Sequence, residues 1–210
     1  MLAAMGPIRD LVPTPWDVVA SIVIGYLLGS IPVANLVARR RAALDLRAVG
    51  DRNPGYWNAK ETLGRRAAVP VFVGDVAKGA VAAGVGALLA DPGVWGMAYV
   101  AGGAAMVGHA LPLLSGFAGG RSVLTFVGTV LVATPITTAI SIGILLAVLV
   151  ATRSFTWAAR AGIVALPFVQ LVVDGPHRTA ATGVLMTFIG LRFAQAALAE
   201  RRSVRGAGQG

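Results

Sequence analysis

Long apolar runs recur along almost the whole chain, and their length constrains the fold more than any other feature. A helix needs about 20 mostly apolar residues to cross the hydrocarbon core of a bilayer, and several runs reach that length. Charged residues make up 13% of the 210 residues, whereas a typical soluble domain contains about 25%. The mean hydropathy is +0.76. The sequence therefore predicts an all-α, polytopic membrane helix bundle.

Composition also excludes several kinds of site. The chain has no cysteine, which excludes disulfides, a thiol nucleophile and thiolate metal ligands. Its two histidines, His109 and His177, are far apart in the sequence, and we expect neither a metal ion nor a cofactor. A net charge of +9 would suggest nucleic acid as a partner of a soluble protein. In a membrane protein, Lys and Arg collect on the cytoplasmic side, so we expect no nucleic-acid partner.

The apolar pattern predicts about seven transmembrane helices, joined by short loops into one integral membrane domain, residues 1–200. The difficult stretch runs from Val123 to Val150, which is too long for one upright span and contains the helix breaker Pro135. If this stretch forms two spans, the later arginines lie on the same side of the membrane as the polar loop Asn35–Arg66, as the positive-inside rule favours. The predicted spans are 17–38, 67–90, 94–114, 122–134, 136–152, 157–173 and 179–198.

The same charges predict the orientation of the chain in the membrane. Three arginines, Arg39, Arg40 and Arg41, follow the first apolar run, which marks it as a retained helix whose C-terminal end faces the cytoplasm. An odd number of crossings then places the N-terminus outside and the C-terminus in the cytoplasm. Residues 201–210 are polar and basic, and we expect them to form a disordered tail.

Three polar side chains are predicted to lie within or near the spans. Asp75 and Lys78 are one helical turn apart, so they can face each other as an ion pair. His109 lies near the end of the third span, shortly before Pro112. Charges at membrane depth are rare and usually functional. We interpret all three as structural polar groups, with direct contact between the charged pair and a substrate as the alternative.

Two polar segments are candidates for a binding site. The first, Gly50 to Gly64, combines an Asn-Pro-Gly turn with two asparagines and charges of both signs. The second, Gly116 to Val123, is rich in glycine and enters a helix. Glycine N–H groups and a helix N-terminus favour an anion, and Arg121 adds a positive charge. The alternatives are a solvated loop lying on the membrane for the first segment and an ordinary helix entry for the second.

In their order and spacing, these stretches resemble the bacterial acyl-phosphate:glycerol-3-phosphate acyltransferases, the PlsY-type family. The resemblance implies a PlsY-like seven-helix bundle in the bacterial cytoplasmic membrane, with a site that faces the cytoplasm. It also implies acyl transfer from acyl phosphate to the 1-hydroxyl of glycerol-3-phosphate in phospholipid biosynthesis. Because an acyl phosphate is already activated, aligning hydroxyl and carbonyl between two bound phosphates would suffice. The similar stretches are 25–39, 46–64, 74–79, 108–120 and 122–128.

The predicted site residues come from the two candidate segments, including positions that differ from the family pattern. The predicted catalytic residues are Asp51, Asn58 and Glu61. The predicted substrate-binding residues are Arg52, Asn53, Gly55, Lys60, Gly119, Gly120, Arg121 and Ser122.

Several of these positions depart from the family pattern. Glu61 stands at a family arginine, which replaces attraction for a phosphate with repulsion. One pair of unit charges 4 Å apart is worth about 4 kcal/mol at an effective dielectric constant near 20. The other replacements are Asp51 for serine, Arg52 for glycine, Tyr56-Trp57 for Ala-Thr, Ala118 and Arg121 for two lysines, Ser122 for glycine, and Phe193 and Ala196 for histidine and asparagine.

These departures keep three hypotheses open. The first is the reaction of the family itself. The second is acyl transfer to another polar acceptor, with Asp51 or Glu61 as a general base. The third is a non-catalytic membrane protein that binds membrane lipids or an unidentified protein partner through the loop and the basic tail.

Overall fold

The computed structural model describes residues 13–90 and 94–207, with side chains described as far as residue 201. These residues form nine α-helices and a short 3-10 turn at Leu113–Ser115, and no strand occurs among them. The helices are α1 (Pro15–Gly29), α2 (Val33–Ala42), α3 (Tyr56–Leu63), α4 (Arg65–Leu89), α5 (Gly96–Ala110), α6 (Val123–Ala133), α7 (Pro135–Thr152), α8 (Phe155–Val173) and α9 (Pro176–Ala207).

The outer faces of this bundle are apolar. Leu88 and Val172 are each 86% exposed, and Val150 is 80% exposed, as expected for side chains that face lipid. The polytopic all-α membrane fold predicted from the sequence is thereby confirmed. Among the described residues, six helical stretches are long and apolar enough to cross a bilayer: Pro15–Ala42, Arg65–Leu89, Gly96–Ser115, Pro135–Thr152, Phe155–Val173 and Pro176–Arg201.

The difficult run from Val123 to Val150 is divided as predicted. α6 ends at Ala133 and α7 begins at Pro135, which is well suited to the first position of a helix because no N–H is needed there. α6 has 11 residues, which corresponds to a rise of about 16 Å. Since the hydrocarbon core is about 30 Å thick, α6 covers only part of it. α6 alone is therefore too short to cross the core.

The first predicted span, 17–38, is wrong in one respect, because it consists of two helices. α1 ends at Gly29 and α2 begins at Val33. Pro32 lacks an N–H group and disfavours helical geometry in the residue before it, which separates the two helices. The sequence analysis also missed α3, which it treated as part of a loop, although the helix-forming residues Ala59, Lys60 and Glu61 follow the Pro-Gly turn.

The last helix is longer than predicted. α9 runs from Pro176 to Ala207, whereas the sequence predicted a helix over 179–198 and a disordered tail over 201–210. Alanine, glutamate and arginine, which favour helix, continue the run beyond the apolar stretch. The tail is therefore helical as far as Ala207, and residues 208–210 lie outside the described residues.

Close helix crossings hold the bundle together. A Cβ atom on Gly79 of α4 would overlap the carbonyl oxygen of Thr125 in α6, and one on Gly128 of α6 would overlap that of Val76 in α4. Small residues let membrane helices approach until their backbones touch. α4 and α6 therefore cross at a distance that larger side chains would not allow, which fixes α6 against the bundle.

We expect Gly128→Ala to lower the free energy of unfolding by about 1–3 kcal/mol, because the added methyl group forces α4 and α6 apart. The control is Gly143→Ala in α7, where an added Cβ meets nothing within 4 Å. That substitution is expected to stabilise slightly, since alanine forms helix better than glycine. Thermal unfolding midpoints of both variants in one detergent test the difference, and equal midpoints would contradict the close crossing.

Candidate functional site

The polar loop between α2 and α3 is folded against the bundle, and two buried asparagines hold it there. The side-chain oxygen of Asn35 accepts a hydrogen bond from the N–H of Leu46 at 3.1 Å. The amide of Asn58 donates to the carbonyl oxygens of Leu46 and Val49 at 2.9 and 3.0 Å. The side chain of Leu46 is fully buried between them. The alternative of a solvated loop lying on the membrane is therefore wrong.

Arg47 ties this loop to the glycine-rich segment. Its Nε and Nη2 atoms donate to the carboxylate of Asp45, and its Nη1 atom donates to the carbonyl oxygen of Ser115 at 2.8 Å. The hydrogen bonds from Arg47 hold the pKa of the Asp45 carboxyl well below its usual range. The Asp45 carboxylate in turn raises the pKa of Arg47. Arg47 thus joins the chain just before the first candidate segment to the residue just before the second.

The glycines of the second segment pack against the end of α5. The N–H of Gly119 donates to the carbonyl oxygen of Ala110 at 3.2 Å, and the N–H of Gly120 donates to that of His109 at 3.1 Å. A Cβ atom on Gly120 would overlap the His109 imidazole. In this structure these N–H groups are bonded within the chain, and the predicted ligand contact of the two glycines stays a prediction. The glycines also allow close approach between the segment and α5.

Ser122 is likewise a structural residue. It is 1% exposed, and its hydroxyl group donates to the carbonyl oxygen of Met106 at 2.7 Å. Its φ angle is 63°, and the φ angle of Arg52 in the loop is 58°. Both positions are glycines in the family pattern described above. The backbone therefore keeps a left-handed geometry that costs a residue with a side chain about 1–2 kcal/mol.

We expect Arg52→Gly to raise the free energy of unfolding by about 1 kcal/mol, since glycine removes the left-handed strain, while it weakens the binding of inorganic phosphate. Arg52→Lys keeps both the strain and the charge and serves as the matched control. Thermal unfolding with and without phosphate measures both effects. A loss of stability in Arg52→Gly would show that the side chain holds the loop and would refute the strain argument.

Three segments of the chain meet around an open cavity of about 740 Å³. The polar loop, the glycine-rich segment and the C-terminal part of α9 each contribute a wall. The structure therefore brings together the two segments that the sequence singled out. The lining residues are Gly50, Asp51, Arg52, Asn53, Gly119, Arg121, Arg192, Phe193, Gln195, Ala196, Ala197, Ala199 and Glu200.

An ion pair crosses this cavity from the loop to the glycine-rich segment. The Nη1 atom of Arg121 donates to one carboxylate oxygen of Asp51 at 3.1 Å. The other oxygen of Asp51 accepts from the N–H of Asn53, also at 3.1 Å. The guanidinium of Arg121 lies over the ring of Phe193, 4.8 Å from its centroid. Arg121 is therefore held between the loop and α9.

Arg192 is a cavity residue that the sequence analysis did not assign to the site. Its guanidinium donates to the side chain of Gln195 at 3.0 Å and to the carbonyl oxygen of Ala110 at 3.3 Å. The buried Nε atoms of Arg121 and Arg192 have no hydrogen-bond acceptor among the described residues. A buried donor without an acceptor is costly. Arg192 directly precedes Phe193, one of the positions noted above as departing from the family pattern.

Several predicted site residues lie away from the cavity lining. Asn58 is buried and holds the loop, and Gly55 is the buried residue before α3. The ammonium group of Lys60 lies over the Trp57 ring, 3.5 Å from its centroid, and Glu61 is exposed on α3. The cavity lining therefore includes none of these four residues, and their predicted catalytic and substrate-binding roles stay predictions.

Beneath the glycine-rich segment lies a buried charged group. Lys78 is 2.9 Å from the carboxylate of Asp75, as the sequence predicted, and the Nδ1 atom of His109 is 3.5 Å from the same oxygen. Lys78 also donates to the carbonyl oxygen of Ile31 at 3.3 Å, between α1 and α2. None of these residues lines the cavity. This geometry fits their structural assignment, which stays a prediction.

The comparisons with known proteins bear on this site. The model of the glycerol-3-phosphate acyltransferase family matches residues 19–199. The chain belongs to this family. It is 36% identical over 171 residues to a glycerol-3-phosphate acyltransferase of Rhizobium etli, with 81% of each chain covered. It is 42% identical over 123 residues to one of Exiguobacterium sibiricum, with 57% of each chain covered.

The fold matches the solved structures of another member of the family. The crystal structure of PlsY (YgiH), an integral membrane glycerol 3-phosphate acyltransferase, in its glycerol 3-phosphate form, has a TM-score of 0.72 and 25% identity, covering 90% of this chain and 93% of that one. The lysophosphatidic acid form has a TM-score of 0.70 and 23% identity. These matches place the chain among the integral membrane acyltransferases.

Proposed function

We propose that this protein transfers an acyl group from acyl phosphate to glycerol-3-phosphate and so forms lysophosphatidic acid for phospholipid biosynthesis. One observation carries the proposal. In a chain of this family, three segments converge on one cavity and direct three arginines into its lining: Arg52, Arg121 and Arg192. The solved relative in its glycerol 3-phosphate form supports the choice of acceptor.

The chemistry of phosphate binding suits these arginines. A guanidinium group presents several N–H donors in a plane that matches a phosphate, and such charge-assisted hydrogen bonds are strong. Arg121 and Arg192 line the cavity and can present such donors to a phosphate in it. Asn53 offers an uncharged amide to the hydroxyl groups of the acceptor. The cavity thus has the donors that two neighbouring phosphates need.

In the proposed reaction, a hydroxyl oxygen of glycerol-3-phosphate forms a bond to the acyl carbon. The bond between that carbon and the phosphate oxygen breaks, the phosphate leaves with the electron pair, and the hydroxyl proton passes to that phosphate. Arg121 and Arg192 stabilise the negative charge that develops on the leaving phosphate. Binding both substrates in one cavity also orients the hydroxyl towards the carbonyl. The chain needs no covalent intermediate for this step.

α9 supplies the apolar wall for the acyl chain. Phe193, Ala196, Ala197 and Ala199 line the side of the cavity that α9 forms. We infer that the acyl chain passes along this wall into the bilayer. We also infer that the cavity faces the cytoplasm of a bacterial cell, with the N-terminus outside and the C-terminus inside, since arginines concentrate at this end.

Of the three hypotheses, the family's own reaction is supported best. The second needed Asp51 or Glu61 as a general base, but Glu61 lies away from the cavity and Asp51 is paired with Arg121. The third hypothesis, a non-catalytic protein, is not favoured, because most of the chain is similar to acyltransferases.

The test is acylation of glycerol-3-phosphate by the full-length protein, purified in detergent, with a long-chain acyl phosphate as donor. We expect lysophosphatidic acid to form at a rate proportional to the amount of protein. Glycerol in place of glycerol-3-phosphate should give little product, because the cavity selects for phosphate. A rate no higher than that of a mock purification from cells with an empty vector would refute the proposal.

A further inference from the structure

The cavity contains a negative charge at the position where a phosphate would be expected to bind. The carboxylate of Asp51 accepts a hydrogen bond from the Nη1 atom of Arg121 at 3.1 Å, and both residues line the cavity. Local chain geometry does not produce this contact, because the two residues are 70 positions apart in the chain. Folding therefore places a carboxylate on one of the three arginines available to a substrate.

A carboxylate and a phosphate compete for the same donor. Both present anionic oxygens to guanidinium N–H groups, and one N–H directs its hydrogen bond to one acceptor at a time. Other contacts restrict movement of Arg121, since the ring of Phe193 lies over its guanidinium and its Nε atom is buried. A phosphate that approaches the Nη1 atom of Arg121 therefore meets a donor that Asp51 already occupies.

We propose that Asp51 is a built-in competitor that a substrate phosphate must displace from Arg121, so that Asp51 determines the phosphate affinity of the cavity. The inference rests on the proposed function and adds a specificity residue to it. The side chains of Asp51 and Arg121 are 33% and 25% exposed. Water screens such a pair, so its displacement costs a factor of roughly two to five in affinity. The contact lowers affinity without closing the site.

Asp51 also has a second contact, which decides how the proposal is tested. Its other oxygen accepts from the N–H of Asn53 and so shapes the turn of the loop. Asparagine retains an oxygen for this hydrogen bond but carries no charge. Asp51→Asn therefore removes the competing charge while preserving the turn, and Asp51→Ser is a second variant with a shorter acceptor.

The experiment uses inorganic phosphate as the probe and the thermal unfolding midpoint of the full chain as the readout, at constant ionic strength. Asp51→Asn is expected to lower the half-saturating phosphate concentration by roughly two- to fivefold. Asp17→Asn is the matched control, because it removes the same charge from the first turn of α1, outside the cavity lining. Its half-saturating concentration should equal that of the wild type. Arg121→Gln should weaken phosphate binding both in the otherwise wild-type chain and in the chain that carries Asp51→Asn.

Acyl-transfer kinetics then identify the phosphate that Arg121 holds. If it holds the acceptor, Asp51→Asn lowers the KM for glycerol-3-phosphate, and if it holds the donor, the KM for acyl phosphate falls. Unchanged or weaker phosphate binding in both Asp51 variants overturns the proposal, even where the wild type acylates normally. Tighter phosphate binding in proteins that form no lysophosphatidic acid would support the competition and refute the proposed function. Phosphate binding that is absent from every variant would overturn the competition, while the acylation assay alone decides the proposed function.

Discussion

Replacing Arg121 by glutamine is expected to lower kcat/KM for acyl transfer about 100-fold, the usual cost of removing one donor to developing charge. Arg121 is central among the cavity arginines, because it contacts the loop through Asp51 and α9 through Phe193. Glutamine retains polar atoms but carries neither the charge nor the fork of N–H donors. The measurement is lysophosphatidic acid formation by purified variants at varied concentrations of both substrates.

Two further variants make the test specific. Arg160→Gln removes the same charge from α8, where the guanidinium lies over the Trp157 ring and outside the cavity lining. Its activity should stay within about twofold of the wild type, as expected for a surface charge. Arg121→Lys keeps the charge and is expected to lose much less activity than Arg121→Gln. Equal activity in Arg121→Gln and Arg160→Gln would exclude Arg121 from the chemistry.

Replacing Lys78 by methionine is expected to destabilise the protein by about 3–5 kcal/mol, because it leaves a buried carboxylate without its cation. Asp75 is 2% exposed, and Lys78 is its nearer charged partner at 2.9 Å. Lys78 also supplies the hydrogen bond to Ile31 where α1 gives way to α2. Thermal unfolding in detergent measures the loss.

The double variant Asp75→Asn with Lys78→Met removes both charges and should recover part of the stability, since no unpaired charge remains. Arg39→Met is the control for an exposed pair. Arg39 lies 3.6 Å from Asp45 and its side chain is 63% exposed, so its loss should cost less than about 1 kcal/mol. If the Lys78→Met protein were as stable as the Arg39→Met protein, burial would not increase the stabilisation from the ion pair between Lys78 and Asp75.

The sequence predicted features that depend on local chemistry. The apolar runs indicated the membrane helices, and Pro135 marked the division between α6 and α7. The spacing of Asp75 and Lys78 predicted their ion pair. The sequence did not predict the helix break at Pro32, because this proline lies inside an apolar run that was treated as one span. Proline marks a boundary only when the surrounding structure does not absorb the kink.

The candidate site could be predicted only in part. The loop and the glycine-rich segment were both singled out, because special residues are concentrated in each. Their individual roles were not recognisable, since Asn58 resembles a polar ligand in the sequence but uses its amide to hold the loop. The glycine N–H groups resemble an anion site but bond to α5. Burial and hydrogen-bond partners decide such roles, and neither is a local property.

By itself, the sequence determined that this chain is a membrane-spanning bundle and which family it resembles, because helix length, hydropathy and motif order are written along the chain. Only the tertiary structure decided what the charged residues meet. Asp51 pairs with Arg121 across 70 positions, and Arg192 enters the cavity from the last helix. Such contacts arise when packed helices bring distant segments together, and the spacing of residues along the chain carries no record of that packing.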